Sequence, residues 1–529
     1  MGGAGVIDDE SATLLPGGRK GPWQVLDGVI NHCGFKTVQW QLFVLCALVN
    51  FIEAMVTSLI PLLFPMLKVE WRVDNAQLAL LGSAISIGML IGAVLLGKSS
   101  DIVGRKISML ICLIIIAVFG FASAFAPSMP TMAALQLLLG VGYGGNIVIS
   151  TTYLCEFMPK NVRGVALTIV AFFFGVGGIV CVALAMYLIP ILGWRKMLML
   201  TITPIFPAII LLCTAPESPR YYLHTGQIDN CIEVLLHISK KNGVKLPEDM
   251  VPTRENMKLV TKKRVKEVSF SEQLADPQIT KTLIPLLLCW FFNAFGANIF
   301  SWIPLYIAEN KSLTGGGSNK DPMHNAYVAA MMMSVGDMTG TFLVALCFAF
   351  DCGRRVLLFL LLLLVGLLVI VIGRVTSIPW LLVLLPLAKS CHSTTVLYTY
   401  TPEVFPTSFR VNGLAMCSTV HRFAPIVAPF LAAALMRYSF IHVSMVFGGL
   451  FLCGSLSSLF LSVETAGKDV VEDSGKGKNE DDDELLLSQM CRGRVAGVIS
   501  DPLGRPPPRI KKSEYSKVEQ YEDREGDMI

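Results

Sequence analysis

Between two apolar stretches the chain reads Gly97-Lys98-Ser99-Ser100-Asp101-Ile102-Val103-Gly104-Arg105-Lys106. Lys98, Asp101, Arg105 and Lys106 crowd charge into this decapeptide, while residues 76–97 and 107–125 on either side carry no Asp, Glu, Lys or Arg. A hydrocarbon layer about 30 Å thick needs about 20 apolar residues at about 1.5 Å of rise each. The decapeptide is therefore expected as a charged turn between two membrane-crossing helices.

The same pattern extends along the chain in both directions. Candidate spans cover 40–66, 76–97, 107–125, 130–153, 165–189 and 194–214, then 282–306, 325–350, 355–373, 379–400, 411–436 and 441–463. The composition of the 529 residues agrees: 53% are hydrophobic and only 16% charged, against roughly 25% charge in soluble domains. Disorder and a small disulfide scaffold are excluded on the same ground. The expectation is an all-α membrane protein of twelve transmembrane helices in two pseudo-symmetric six-helix bundles. Its segments are an N-tail over 1–37, bundles over 38–215 and 281–463, a central segment over 216–280, and a disordered tail over 464–529. The acidic, Gly-rich first 37 residues do not read as a secretory signal. The 14 cysteines fall mostly inside spans, with no CxxC pair at zinc spacing. No metal, cofactor or nucleic-acid partner is expected.

Lys and Arg near span ends set orientation. The short loops are balanced, eight against eight. The central segment (Arg220, Lys262, Lys263, Arg264, Lys266, Lys281) and Lys36 in the N-tail break the tie. Both termini and residues 216–281 are expected in the cytoplasm.

The two halves echo each other. Gly97 to Lys106 after span two has a shorter form, Asp351-Cys352-Gly353-Arg354-Arg355, after span eight. Glu156-Phe157-Met158-Pro159 with Arg163-Gly164 after span four matches Glu403-Val404-Phe405-Pro406 with Arg410 after span ten. Half-chain repeats with a midplane site between them are a recurring plan of secondary transporters.

On these residues the chain is identified as a member of the major facilitator superfamily. Gly97 to Lys106 resembles the loop signature GxxxDxxGRK/R, and Glu156 to Gly164 the ExxPxxxRG signature of sugar-porter and organic-ion branches. Pro216-Glu217-Ser218-Pro219-Arg220 resembles PESPR, and Val463-Glu464-Thr465-Ala466-Gly467-Lys468 the closing PETKG. Within the superfamily the chain resembles the synaptic-vesicle-glycoprotein-related group and bacterial aromatic-acid and niacin carriers. That likeness rests on Tyr400-Thr401-Pro402-Glu403-Val404-Phe405-Pro406-Thr407, Asp337-Met338-Thr339-Gly340 and Cys417-Ser418-Thr419-Val420-His421-Arg422-Phe423. The first opposite-side loop, about nine residues from Leu67 to Asn75, departs from the long Cys-rich loop of eukaryotic organic-ion carriers. Gln136 stands where the span-four signature usually begins with Arg.

The resemblance implies alternating-access transport of a small solute. Asp101, Arg105, Glu156, Arg163, Asp351, Arg354, Glu403 and Arg410 are the expected gating charges, able to form charge-assisted pairs between helix ends. Four charges lie at mid-depth: Glu53, Asp337, Lys389 and Arg422. Such groups are costly in a bilayer and are functional candidates by default. Arg422 is expected to bind a carboxylate and Glu53 to couple to protons. Asp337 is expected to pair with Lys389 or Arg422, and Asn298, Phe300 and Trp302 to wall the site. The expected function is proton-coupled transport of a small organic anion. An organic-cation carrier, a sugar carrier and a transporter-like vesicle protein remain alternatives. Sorting adaptors are suggested by Asp481-Asp482-Asp483-Glu484-Leu485-Leu486, by Glu10 to Leu15, and by Tyr515-Ser516-Lys517-Val518. These point to an endosomal or vesicular membrane, with the plasma membrane the other option. Asn310-Lys311-Ser312 is a glycosylation sequon, and a short amphipathic helix is expected around 229–241.

Overall fold

The computed structural model of the chain describes residues 21–247, 250–254, 256–257, 274, 277–310, 322–350, 352–391, 393–405, 407–461 and 463–465. All of them belong to one compact unit, residues 1–471; a second unit, 472–529, lies outside the described residues. Asp351, the sorting motifs, most of the sequon and Lys262 to Lys266 also lie outside them.

Among the described residues, twelve helices are long and apolar enough to cross a membrane. The first six are Thr37–Trp71, Asn75–Val103, Arg105–Ser123, Met129–Phe157, Lys160–Leu192 and Trp194–Cys213. The second six are Ile279–Glu309, Met323–Ala349, Arg354–Ile372, Ile378–Val404, Asn412–Met436 and Phe440–Leu459. We call them spans one to twelve. Each coincides with an expected stretch, and several run past it, because polar ends that leave the hydrocarbon still complete helical turns. Span one extends to Trp71, so the expected nine-residue loop shrinks to residues 72–74. Arg72 ends that helix in the left-handed region (φ 51°). Asp74 begins the next: its carboxylate accepts from the Gln77 backbone N–H at 2.9 Å, and Gln77 Oε1 accepts from the Asp74 N–H at 3.1 Å. This reciprocal box satisfies two donors that a helix start leaves bare.

Helix pairs within each half touch at glycine. A Cβ on Gly88 or Gly92 of span two would meet the span-four backbone at Leu137 and Val141. A Cβ on Gly336 or Gly340 of span eight would meet the span-ten backbone at Pro386 and Ser390. Each pair is a small-xxx-small spacing, which lets backbones approach where burial from water cannot drive association. The same device at equivalent places in both halves is the structural form of the sequence repeat.

Three spans are interrupted. Span seven changes to a 3-10 helix over Asn298–Trp302 before resuming at Ile303–Glu309. Span ten breaks after Ile378–Ser390 and restarts at Ser393–Val404. Span six breaks between Ile202 and Ile205, at Thr203 and Pro204. Irregular backbone at membrane depth is tolerated only where protein or an internal site covers it. The breaks in spans seven and ten flank Lys389.

Outside the spans, Pro22–Cys33 and Ile228–Lys241 form helices, the second at the expected place. They belong to the same face: Val38 N–H donates to Asn242 Oδ1 at 3.0 Å, and Arg220 Nη2 meets Asp27 Oδ1 at 2.7 Å. With an even number of spans, this face holds the start of span one, the central segment and the end of span twelve. We call it the terminal face.

Candidate functional site

The terminal face carries the signature charges, arranged twice. In the first half, Glu217 lies across the start of span three and accepts from the backbone N–H groups of Arg105 (3.0 Å) and Lys106 (3.1 Å). In the second half, Glu464 does the same at the start of span nine, accepting from Arg354 (2.7 Å) and Arg355 (3.1 Å). A carboxylate there satisfies bare donors and meets the positive end of the helix dipole. Beside each clamp a tyrosine hydroxyl donates to a main-chain carbonyl, Tyr153 to Pro216 and Tyr400 to Val463.

The expected gating residues converge on these clamps. Arg105 reaches Asp101 at 3.0 Å and Glu156 at 3.2 Å. Arg354 reaches Glu403 at 3.6 Å, and Thr465 Oγ1 donates to Glu403 at 2.6 Å. Glu156 thus meets Arg105, while Arg163 donates to the Met158 carbonyl at 3.3 Å. Arg410 keeps buried Nε and Nη2 groups without a hydrogen-bond partner among the described residues. The clamping roles of Glu217 and Glu464 were not assigned from sequence. The PESPR-like and PETKG-like stretches contain them, but the bond to a distant helix start is visible only in the fold.

At mid-depth the four charges separate into two groups. Lys389 Nζ meets Asp337 at 2.9 Å and lies over the Phe300 ring, 4.9 Å from its centroid. Lys389 sits in the last turn of the first half of broken span ten, where the helix dipole favours a cation. Arg422 donates to the Met89 carbonyl of span two at 3.3 Å, crossing from one half to the other. Its charge acts on Glu53 and on Tyr398. Trp290 packs edge-on to Tyr398 (4.7 Å between centroids) and to His421 (5.4 Å). Trp290, Tyr398 and His421 are site neighbours to which the sequence pattern assigns no role. His421 adjoins Arg422 in the chain, but the other two come from spans seven and ten.

Span one and span four run antiparallel with a fixed register. Gln39 Nε2 donates to the Phe157 carbonyl at 3.3 Å, and Cys46 Sγ to the Ser150 carbonyl at 3.5 Å. The two bonds are seven residues apart on each helix, counted in opposite directions. Extended by the same step, this register puts Glu53 level with Tyr143, and by the half-step Asn50 level with Asn146. The Tyr143 hydroxyl lies in the field of Glu53.

Asn298 and Trp302 occupy the 3-10 interruption. Trp302 is buried against Phe64 of span one, 5.7 Å between ring centroids. Nearby, Lys68 of span one meets Glu309 of span seven at 2.5 Å. The halves also meet where Ser83 Oγ donates to the Ile426 carbonyl at 2.7 Å and where Gly82 faces Pro429. These cross-half contacts all lie in the half of the bundle away from the terminal face. A cavity of about 450 Å³ between spans one, five and six is lined by apolar side chains such as Phe51, Met55 and Val180, and by none of the four mid-depth charges. Among the described residues no His, Cys, Asp and Glu group has the arrangement of a metal site.

This geometry agrees with the comparisons to known proteins. The family described as Sugar (and other) transporter matches residues 32–473. The chain belongs to this family. The synaptic vesicle 2-related protein of Rattus norvegicus is 30% identical over 466 residues, covering 85% of this chain and 83% of the relative. The niacin transporter NiaP of Acinetobacter baylyi is 27% identical over 423 residues, covering 79% of this chain and 92% of the relative. Among solved structures, the partially occluded inward-open xylose transporter XylE from E. coli aligns with a TM-score of 0.62 at 17% identity. That alignment covers 82% of this chain and 98% of XylE. The chain is an integral, multi-pass membrane transporter of the major facilitator fold, and its family and relatives are transporters rather than enzymes.

Proposed function

We propose that the chain carries a small organic anion by alternating access, coupled to protons through Glu53. The supporting observation is the state of Arg422. Lys389 already has a carboxylate partner in Asp337, whereas Arg422 is hydrogen-bonded to a main-chain carbonyl. Its remaining donors form a planar fork suited to a carboxylate, which Lys cannot match. It lies between the halves with Trp290, Tyr398 and His421 beside it, a setting for a planar acid. That a relative is named as a niacin transporter fits a substrate of this kind.

Glu53 sits on the opposite wall, within range of the Arg422 charge. Protonation of Glu53 removes its competition for Arg422, so proton and anion binding favour each other. This mutual preference is what symport requires. In this reading the terminal face is cytoplasmic, with basic residues concentrated there. Lys68–Glu309, Phe64–Trp302 and Ser83–Ile426 close the opposite face, so this is the inward-facing state. The charge clamps beneath each half then re-form contacts between the halves when the terminal face closes. The membrane is the plasma membrane or an endosomal or vesicular one, with adaptors reading the tails.

Uptake of radiolabelled nicotinate and benzoate into proteoliposomes, with and without an inward proton gradient, tests the reading. Arg422→Ala should lower uptake by about 100-fold, the scale of a lost charge-assisted bidentate contact. Glu53→Gln should abolish the response to the gradient. Undiminished uptake in both variants would remove the mechanism.

A further inference from the structure

Next to Glu53, span four carries buried polar atoms that the protein itself does not satisfy. Tyr143 and Asn146 of span four are both fully buried (0% exposed), and Glu53 of span one is 6% exposed. Among the described residues, neither the Tyr143 hydroxyl nor the Asn146 Oδ1 and Nδ2 atoms have a hydrogen-bond partner. An unpaired buried hydroxyl or amide costs about 1–3 kcal/mol, and native structures rarely leave three such atoms together. Their position follows from the register above, which sets Tyr143 opposite Glu53 and Asn146 opposite Asn50, one turn apart on one face of span four. The neighbouring Gly144 packs on the backbone of Met89 in span two of the same half, and the Met89 carbonyl accepts from Arg422 of the second half. The Arg422 guanidinium thus reaches into the first half beside span four, within range of the Glu53 carboxyl.

We infer that Glu53, Tyr143 and Asn146 form a second substrate subsite. It takes a hydrogen-bonding polar group, such as a ring nitrogen or a hydroxyl, on the end of a planar acid opposite the carboxylate. The inference rests on the proposed anion reading for its Arg422 end and on the unsatisfied span-four atoms for its own. The substrate class is then a bifunctional planar acid, not a simple aromatic acid. The amide supplies both a donor and an acceptor, the hydroxyl supplies either, and Glu53, protonated when the anion is bound, donates from its carboxyl O–H. A site of this kind penalises a ligand that lacks the polar group, because its buried atoms stay unpaired when that ligand binds.

Calorimetric binding of benzoate, 4-hydroxybenzoate and nicotinate to the purified full-length chain tests this. At least one of the two polar acids should bind about tenfold or more tightly than benzoate. Tyr143→Phe and Asn146→Leu should each bring that ratio toward one by weakening the polar acid. Arg422→Ala should weaken all three acids and preserve the ratio. Equal affinity for the three acids in the unmodified chain overturns the subsite, and needs no variant to fold. A ratio that survives both span-four substitutions also overturns it. A ratio that responds to span four but acids that ignore Arg422→Ala would leave the subsite standing and remove the carboxylate reading. Binding of none of the three acids overturns both.

Discussion

The two halves share their backbone devices and differ in their side-chain chemistry. Both clamp a helix start with a glutamate, Glu217 or Glu464, and both anchor the clamp segment with a tyrosine hydroxyl, Tyr153 or Tyr400. The first half adds a tight charge cluster, with Arg105 held by Asp101 at 3.0 Å and Glu156 at 3.2 Å. The corresponding Arg354–Glu403 contact in the second half is looser, 3.6 Å, and Thr465 shares the carboxylate. At mid-depth the divergence is complete. The first half holds an acid among unsatisfied neutral groups, and the second holds two cations, one neutralised by Asp337. What must be symmetric for two bundles to rock is the scaffold at the helix ends. What must be asymmetric for one solute to bind is the chemistry between them.

The glycines at the two clamps break the comparison most sharply. Gly104 has φ of +109°, Gly353 has φ of −56°. A Cβ on Gly104 would enter a region of backbone space that other residues scarcely occupy, and would also press on the Glu217 carboxylate. Strain of that kind costs about 1–3 kcal/mol, and displacing the clamp adds about 1 kcal/mol. A Cβ on Gly353 would likewise press on its clamp, the Glu464 carboxylate, but at a φ that any residue adopts. Gly104→Ala should therefore lower thermal stability of the purified protein by about 2–4 kcal/mol, and Gly353→Ala by only about 1 kcal/mol. Equal losses would mean that the two turns are not built differently.

Next in size is the pair that exists in one half alone. Asp337 and Lys389 are each about a quarter exposed, 28% and 24% at the side chain. Removing one partner of a fully buried pair costs about 3–5 kcal/mol. Partial exposure and solvent screening reduce that to about 1–3 kcal/mol here. Asp337→Ala should destabilise by that amount. Asp337→Ala with Lys389→Met should recover part of it, since no uncompensated charge then remains. If the double variant is no more stable than the single one, Asp337 serves something other than Lys389.

Much of this architecture is legible in the chain, because a bilayer imposes one simple rule on sequence. Twenty apolar residues bounded by charge can scarcely be anything else, so the spans are readable within a few residues. The Asp337–Lys389 pair is legible too, as opposite charges at equal depth in neighbouring spans. The partner of Glu156 is not, because Arg105 and Arg163 both stand at helix ends on the same face. Only the packing of spans two, three and four brings Arg105 to it. Nor does the sequence reveal that Tyr143 stands opposite Glu53. That follows from the register between spans one and four, fixed by Gln39, Phe157, Cys46 and Ser150, and hydropathy does not encode register. Trp302 shows the converse: its placement in span seven is readable, but the 3-10 turn that sets it against Phe64 depends on neighbours far along the chain.

The smallest expected effect is the most exacting test of the shared scaffold. Tyr153 and Tyr400 are each buried, and each hydroxyl donates to the carbonyl of the segment that carries the clamp, Pro216 or Val463. Phe in place of either keeps the ring and its packing and removes one neutral hydrogen bond. The lost bond is worth about 1 kcal/mol, and the carbonyl left behind keeps access to its second lone pair. Tyr153→Phe and Tyr400→Phe should therefore lower the melting temperature of the purified protein by the same few degrees. The two residues lie in different bundles with no shared partner, so the double variant should show the sum of the two losses. Unequal losses would place the difference between the halves in the scaffold itself. A double loss well beyond the sum would mean that the clamps communicate across the molecule rather than serving each bundle separately.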